Sequence, residues 1–181
     1  MPPPIHVSFA AGDTGTWRIE SVSPVAGESL APAACLSVHE NAPNAAGNAW
    51  TLRGTTSNTR YTTRAEVAAL AAVQQGLGRP AATRAALIPI RKTEAWWALA
   101  QDQRRAIIEE QSRHIAIGLE YLPPIARRLH HCRELGGPFD FLTWFEYAPE
   151  HADAFEDLVR RLRATEEWSY VDREIDIRLS R

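Results

Sequence analysis

His114 is the residue of this chain best suited to bind a metal-containing cofactor. It is one of six histidines, and it falls in the middle of a predicted helix. Gly118 follows one helical turn later, so the face that carries the imidazole has a gap where a side chain would otherwise stand. A flat macrocycle needs such a gap, because its ring must lie against the helix surface. A hydrogen-bonded core histidine fits the same position and stays open as the alternative.

Other kinds of metal site match the sequence less well. A di-iron Glu-x-x-His motif fails because position 111 is a glutamine. His130, His131 and Cys132 are consecutive, so their side chains diverge and cannot surround a tetrahedral ion. The sequence contains neither a His-Glu-x-x-His motif nor a Cys-x-x-Cys-His motif. The metal-containing cofactor that remains is haem b, which would be bound non-covalently with His114 as its iron ligand.

Three charged side chains could complete such a site. Arg127 follows Pro123-Pro124, which must redirect the chain, so its guanidinium could face the cofactor from the side opposite His114 and hold an anion. Glu166 or Glu167 could accept the Nδ1 proton of the histidine, which makes an iron ligand more basic and fixes its ring. Exposure to solvent is the alternative for all three.

Lys92 is the only lysine among 20 positively charged side chains. A compact ammonium differs from a planar guanidinium, so this lysine could occupy a place where an arginine does not fit. Chance retention explains it equally well.

Composition and charge limit the class of protein. A chain of 181 residues is long enough for a substantial core. A net charge of -2 argues against nucleic acid or an anionic membrane as a partner. The start Met1-Pro2-Pro3-Pro4-Ile5 lacks the features of a secretory signal, and two cysteines do not make a disulfide framework, so we expect a cytoplasmic protein.

Strand-like and helix-like segments are mixed along the chain. Alternating or continuous apolar patterns predict strands at 5–10, 17–21, 50–56, 85–91, 139–147 and 171–179. Helical periodicity predicts helices at 63–76, from Thr93, at 102–122 and from Pro149, while 24–48 reads as a loop. One face of the strand at 139–147 carries Phe139, Phe141, Thr143, Phe145 and Tyr147. These patterns predict an α+β fold with a mainly antiparallel sheet, helices on one face, and an arrangement compatible with two ferredoxin-like halves.

Taken in order, these motifs resemble the chlorite dismutase family, most closely its shorter, dimeric subgroup with a trimmed N-terminal half. The resemblance is carried by Lys92, Trp96-Trp97, His114, PPIAR at 123–127, FLTWFE at 141–146 and Glu167. It covers essentially the whole chain. It implies a dimeric α+β barrel in a single domain over 1–181, with a truncated ferredoxin-like half at about 1–80 and a haem-binding half at about 81–181.

The resemblance also implies a role for each site residue. His114 would be the proximal iron ligand, with Glu167 hydrogen-bonded to it and Lys92 in the same network. Arg127 would be the distal catalytic residue, steered by Gln74. The residues implied to line the distal pocket or to approach the macrocycle are Leu129, Thr143, Phe145, Trp97 and Tyr61.

The implied activity is that of a chlorite O2-lyase, a haem-dependent oxidoreductase. It converts chlorite to chloride and dioxygen through a ferryl and hypochlorite stage, in which Arg127 holds the chlorine fragment. Two other enzyme activities are alternatives, namely those of a haem peroxidase and of a coproheme decarboxylase. The resemblance implies a distinction here, because the decarboxylases carry glutamine where this chain has Arg127. A non-catalytic haem-binding protein is the alternative of a different class.

Overall fold

A computed structural model describes residues 3–56, 61–73 and 76–181. The strands are β1 (His6–Gly12), β2 (Trp17–Ala26), β3 (Cys35–Glu40), β4 (Trp50–Thr56), β5 (Arg84–Lys92), β6 (Ala126–His131), β7 (Phe141–Tyr147) and β8 (Val171–Ser180). Within the described residues these eight strands pair antiparallel and close into a barrel, in the order β1-β3-β2-β8-β5-β7-β6-β4 and back to β1. The predicted α+β class with an antiparallel sheet is confirmed, and the sheet closes on itself.

Short helices connect the strands. They are α1 (Arg64–Val73), α2 (Glu94–Ala98), α3 (Gln101–Arg105), α4 (His114–Glu120) and α5 (Ala152–Arg163), with a π-helical turn at Ala106–Gln111 and 3₁₀ turns at Arg133–Leu135, Pro149–His151 and Glu166–Tyr170. The predicted start of a helix after Thr93 is confirmed, since its hydroxyl caps α2 by accepting the Trp96 N–H. Within the described ranges, none of these helices has the length and apolar character required to span a membrane.

The barrel wall separates two apolar cores. On β5, Ala85 and Leu87 belong to the core inside the barrel, while Ala86, Ile88 and Ile90 belong to the outer core. Both faces of this strand are buried, which explains its continuous apolar run. The outer core is covered by α4 and α5 through Ile117, Phe155, Leu158, Val159 and Leu162.

The same division applies to β7, with one correction. Leu142 and Trp144 point into the barrel, whereas Phe145 and Tyr147 belong to the outer core under the helices. The prediction that Phe139 shares the outer face is wrong: it precedes β7 and packs in the inner core. The outer face of β7 is therefore the surface that meets the helical layer.

Two further predictions are wrong. The segment 24–48 is not a continuous loop, because β2 extends to Ala26 and β3 occupies Cys35–Glu40. The helix predicted over 102–122 is interrupted by the π-helical turn and by Arg113, which has a left-handed φ of 54°. A new helix then begins at His114.

Candidate functional site

The break in the helix determines where His114 lies. Arg113 adopts the left-handed conformation, which costs a residue other than glycine about 1–2 kcal/mol and must be stabilised by its surroundings. Glu109 provides that support, because its carboxylate accepts the N–H groups of Ile115 at 2.8 Å and Ala116 at 3.3 Å. These bonds satisfy free amides at the start of α4 and fix the first turn, which carries His114.

A buried carboxylate connects His114 to Lys92. Glu167 Oε2 lies 2.5 Å from His114 Nδ1, and its Oε1 accepts from Lys92 Nζ at 2.8 Å. The side chains of Lys92 and Glu167 are only 4% and 6% exposed. Because an ionised carboxylate only accepts hydrogen bonds, Nδ1 must be the donor, and Nε2 is the nitrogen left to bind a metal. Of the two candidate glutamates, Glu167 makes this contact, while Glu166 is exposed.

The surroundings keep this carboxylate charged. Burial by itself would raise the pKa of Glu167, but its electrostatic interactions and hydrogen bonds with His114 and Lys92 hold its pKa well below the usual range. Its backbone N–H also donates to Ser112 Oγ at 2.9 Å, which ties the 3₁₀ turn to the break before α4.

Aromatic rings surround the Lys92 ammonium. Its Nζ lies 4.4 Å from the ring centroid of Trp96 and 5.5 Å from that of Trp168. Both are cation–π distances. A compact ammonium fits between two indoles while still reaching Glu167, which gives a physical reason for a lysine at this position.

The outer face of β6 and β7 carries the other predicted group of residues. In the register of the two strands, Arg127 is opposite Phe145 and Leu129 is opposite Thr143. Residues directly opposite each other share a face, so all four lie on the same side of the sheet. Leu129 is 45% exposed, which is unusual for a large apolar side chain in this chain.

The guanidinium of Arg127 reaches from this face to α4. A Cβ atom built on Gly118 would lie 2.7 Å from Nη1 of Arg127 and 3.2 Å from its Cζ. The arginine therefore occupies the gap that the glycine leaves one turn beyond His114. Desolvation lowers the pKa of Arg127, yet a guanidinium remains charged at neutral pH.

Trp97 and Tyr61 lie in a neighbouring cluster. Trp97 Nε1 donates to Asp140 at 3.2 Å, and its ring stacks on Phe141 with centroids 6.1 Å apart. The hydroxyl of Tyr61 accepts from Arg104 at 3.0 Å. Both aromatic residues pack with Trp96, Ile107 and Ile108. Gln74 lies outside the described residues.

Sequence reasoning missed several residues that hold the site. Asp140 is buried and accepts the backbone N–H of Lys92 at 2.8 Å. Glu109 and Ser112 anchor the turn before His114. Two of these residues could have been noticed in the sequence. Asp140 lies in a predicted strand and Ser112 in a predicted helix, and neither residue type favours the element predicted around it.

Comparison with known proteins gives a consistent result. A family model described as chlorite dismutase matches residues 33–181. A crystal structure of dimeric chlorite dismutases from Nitrobacter winogradskyi is similar to this chain with 62% identity and a TM-score of 0.91, covering 97% of this chain and 99% of that one.

More distant structures share the fold. A chlorite dismutase variant from Candidatus Nitrospira defluvii in complex with cyanide is 18% identical, with a TM-score of 0.66 over 98% of this chain and 90% of that one. The protein from the same organism in complex with imidazole is 19% identical, with a TM-score of 0.63 over 98% and 91%. At these identities the similarity shows the fold alone. No match was found among curated protein sequences.

Proposed function

The chain belongs to the chlorite dismutase family, and we propose that it is a chlorite O2-lyase that uses haem b to convert chlorite to chloride and dioxygen. One observation carries the proposal. A histidine whose Nδ1 is bound by a buried carboxylate lies one helical turn from a glycine that an arginine guanidinium covers. From these contacts we infer that Nε2 of His114, as the metal-binding nitrogen, and the guanidinium of Arg127 face one gap between α4 and the sheet.

The residues around this gap fit a haem group held through Nε2 of His114. Gly118 presents a bare helix surface against which a flat ring can lie once Arg127 moves aside. Trp96 supplies an independent observation, because its fully buried indole N–H has no acceptor among the described residues. A buried donor without a partner is costly, and a carboxylate of a bound group would satisfy it.

On the proximal side, Glu167 and Lys92 would set the properties of the ligand. A carboxylate that accepts the Nδ1 proton raises the basicity of the histidine and prevents its ring from rotating. Lys92 keeps that carboxylate ionised inside the protein. When bound, the haem iron supplies the redox chemistry that the side chains lack.

On the distal side, Arg127 would bind the substrate anion. Chlorite contains the same atoms and charge as chloride plus dioxygen, so the net reaction neither consumes nor releases a proton. A permanent cation suits this reaction better than an acid or base does. Charge-assisted hydrogen bonds from Arg127 would hold the chlorine-containing fragment until the oxygen–oxygen bond forms.

The remaining predicted residues would shape the pocket. Leu129, Thr143 and Phe145 share the face of Arg127 and would exclude water around the substrate. Trp97 and Tyr61 would approach the edge of the macrocycle. Gln74 is proposed to steer Arg127 on the basis of the family resemblance.

We further propose a homodimer, because the similar Nitrobacter proteins are dimeric chlorite dismutases. We also propose a cytoplasmic location, since two cysteines do not make a disulfide framework. Strands β1–β4 and helix α1 lie within the first 80 residues, while β5–β8 and the other helices lie within residues 81–181. This division fits two ferredoxin-like halves, the second of which would bind haem.

An oxygen electrode tests the proposal. The purified chain, loaded with haem b and mixed with chlorite, should release dioxygen equimolar to the chlorite consumed. Haem binding without dioxygen release would contradict the proposed activity and favour a haem carrier. Turnover of peroxide but not of chlorite would favour a peroxidase.

A further inference from the structure

A chain of hydrogen bonds centred on a buried carboxylate leads from α5 toward His114. Arg163 Nε donates to Oε1 of Glu174 at 2.7 Å, and the indole N–H of Trp168 donates to Oε2 of the same carboxylate at 2.8 Å. Glu174 is only 1% exposed. Each of its oxygens therefore has one charged or polar donor, as a buried carboxylate requires.

The ring of Trp168 is the end of this chain nearest the site. Its centroid lies 6.1 Å from that of the His114 ring, with 37° between the planes. The same indole lies 5.5 Å from Lys92 Nζ. Trp168 also follows Glu167 directly in sequence, so its orientation is coupled to the carboxylate that binds His114 Nδ1.

We propose that Glu174 is a positioning residue for His114 and acts through the indole of Trp168. An indole side chain has two rotatable bonds, and the hydrogen bond from Trp168 to Glu174 restricts rotation about both of them. A fixed ring limits how far the imidazole can turn and how Lys92 approaches Glu167. The inference rests on the proposed function, in which His114 is the haem ligand.

Asp176 provides a matched control on the same strand. It lies two residues after Glu174 on the same face of β8 and is 6% exposed. It accepts from Arg163 Nη2 at 2.9 Å and also pairs with Arg178. Loss of either carboxylate disrupts the same ion network, but only Glu174 contacts the indole of Trp168.

The test compares Trp168→Phe, Glu174→Gln and Asp176→Asn with the unmodified chain, all loaded with haem b. Trp168→Phe keeps an aromatic ring and removes the N–H. Glu174→Gln leaves one acceptor oxygen for two donors. The readouts are the iron–histidine stretching band of the reduced protein, the midpoint potential, and the affinity of the apoprotein for haem.

Trp168→Phe and Glu174→Gln should shift the stretching band and the midpoint potential in the same direction, and each should weaken haem affinity about tenfold. The double variant should match either single variant, because both break one bond. Asp176→Asn should behave as the unmodified chain in all three readouts, while it loses stability toward denaturant comparable to that of Glu174→Gln.

Equal shifts in Glu174→Gln and Asp176→Asn, or an unshifted band in Trp168→Phe, would overturn the inference. Trp168→Phe leaves the ion network intact and decides the matter if the Glu174 variant does not fold. A failure of the proposed function looks different: the unmodified protein would lack the histidine band, or His114→Ala would retain it, and the inference would then fall with it.

Discussion

The two sides of the proposed haem site are built differently. On the His114 side, segments distant in sequence meet in a network around a buried carboxylate, in which Glu167 contacts the imidazole, the ammonium of Lys92 and the hydroxyl of Ser112. On the sheet side, four residues share one face of β6 and β7, and Arg127 is the charged one among them. Its neighbour on β6, Leu129, is half-exposed.

This difference separates two tasks. A ligand must be held in one orientation, and many buried hydrogen bonds achieve that at the cost of desolvating several charges. A group that captures a small anion and releases its products needs access and one fixed charge. Changes on the first side should therefore affect cofactor binding, and changes on the second should affect turnover.

The largest effect is expected for His114→Ala. Without the imidazole the site loses its iron ligand, so the variant should not retain haem through gel filtration. The measurement is the Soret absorption per protein. His151→Ala, which changes a partly exposed histidine that pairs with Glu150, should retain the full band. A normal Soret band in His114→Ala would contradict the assignment.

Arg127→Ala should keep its haem and lose most of its activity. Removing one electrostatic donor to a developing charge typically lowers kcat about 100- to 1000-fold. Hypochlorite should leak into solution, because the fragment is no longer held. Arg128→Ala is the matched control, since that side chain pairs with Glu40 instead. An unchanged dioxygen yield in Arg127→Ala would contradict the proposed role of Arg127 in turnover.

Glu167→Gln should weaken haem affinity by roughly 10- to 100-fold, as is usual when the hydrogen-bond partner of a metal ligand is changed. The amide is uncharged and leaves one acceptor oxygen for two donors, His114 and Lys92. Titration of the apoprotein with haem measures the effect. Glu166→Gln changes the exposed neighbour and should have none. Lys92→Arg keeps the charge but not the compact shape, so it should weaken binding less than Glu167→Gln does.

The effect least connected with the cofactor concerns acid stability of the strand that carries Arg127. His130, on the opposite face of β6, is fully buried and donates from Nδ1 to the carbonyl of Leu142, while Arg128 donates to its Nε2. Mainly because of burial, its pKa falls from 6.5 to about 4. The folded chain therefore holds this ring neutral where the unfolded chain binds a proton.

The sign follows from linkage. Well above pH 6.5 the imidazole is neutral in both the folded and the unfolded chain, and its full contribution to stability is present. As the pH falls from 6.5 toward about 4, the free energy of unfolding should decrease, by at most about 3 kcal/mol from this group. Urea unfolding at several pH values measures it. His130→Gln should flatten that dependence, whereas His151→Gln should not; equal slopes in His130→Gln and the unmodified chain would contradict the account.

Sequence patterns predicted the strands whose apolar residues face a core. They did not predict a strand whose polar residues face a core. β6 was missed because it contains two arginines and two histidines, and one of them, His130, points into the barrel. Its polar atoms are satisfied by Leu142 and Arg128, which are partners that no local pattern reveals. β3 was missed because Leu36 and Val38 alone give too short an alternation.

The interrupted helix failed for a different reason. An apolar stripe records which residues are buried, not which backbone bonds form, so it continued through the break at Arg113. The break depends on contacts between distant segments, such as the bond between Ser112 and Glu167. The hydrogen bonds among Lys92, His114 and Glu167 were anticipated from a resemblance in residue order, since spacing alone left Glu166 and Glu167 equivalent.

The most direct test of the separation between the two sides is a crystal structure of the haem-loaded chain. It should show iron bonded to Nε2 of His114, Nδ1 still bound to Glu167, and the guanidinium of Arg127 across the ring from the histidine. Iron bound by another residue, or His114 and Arg127 on the same face of the ring, would contradict the account.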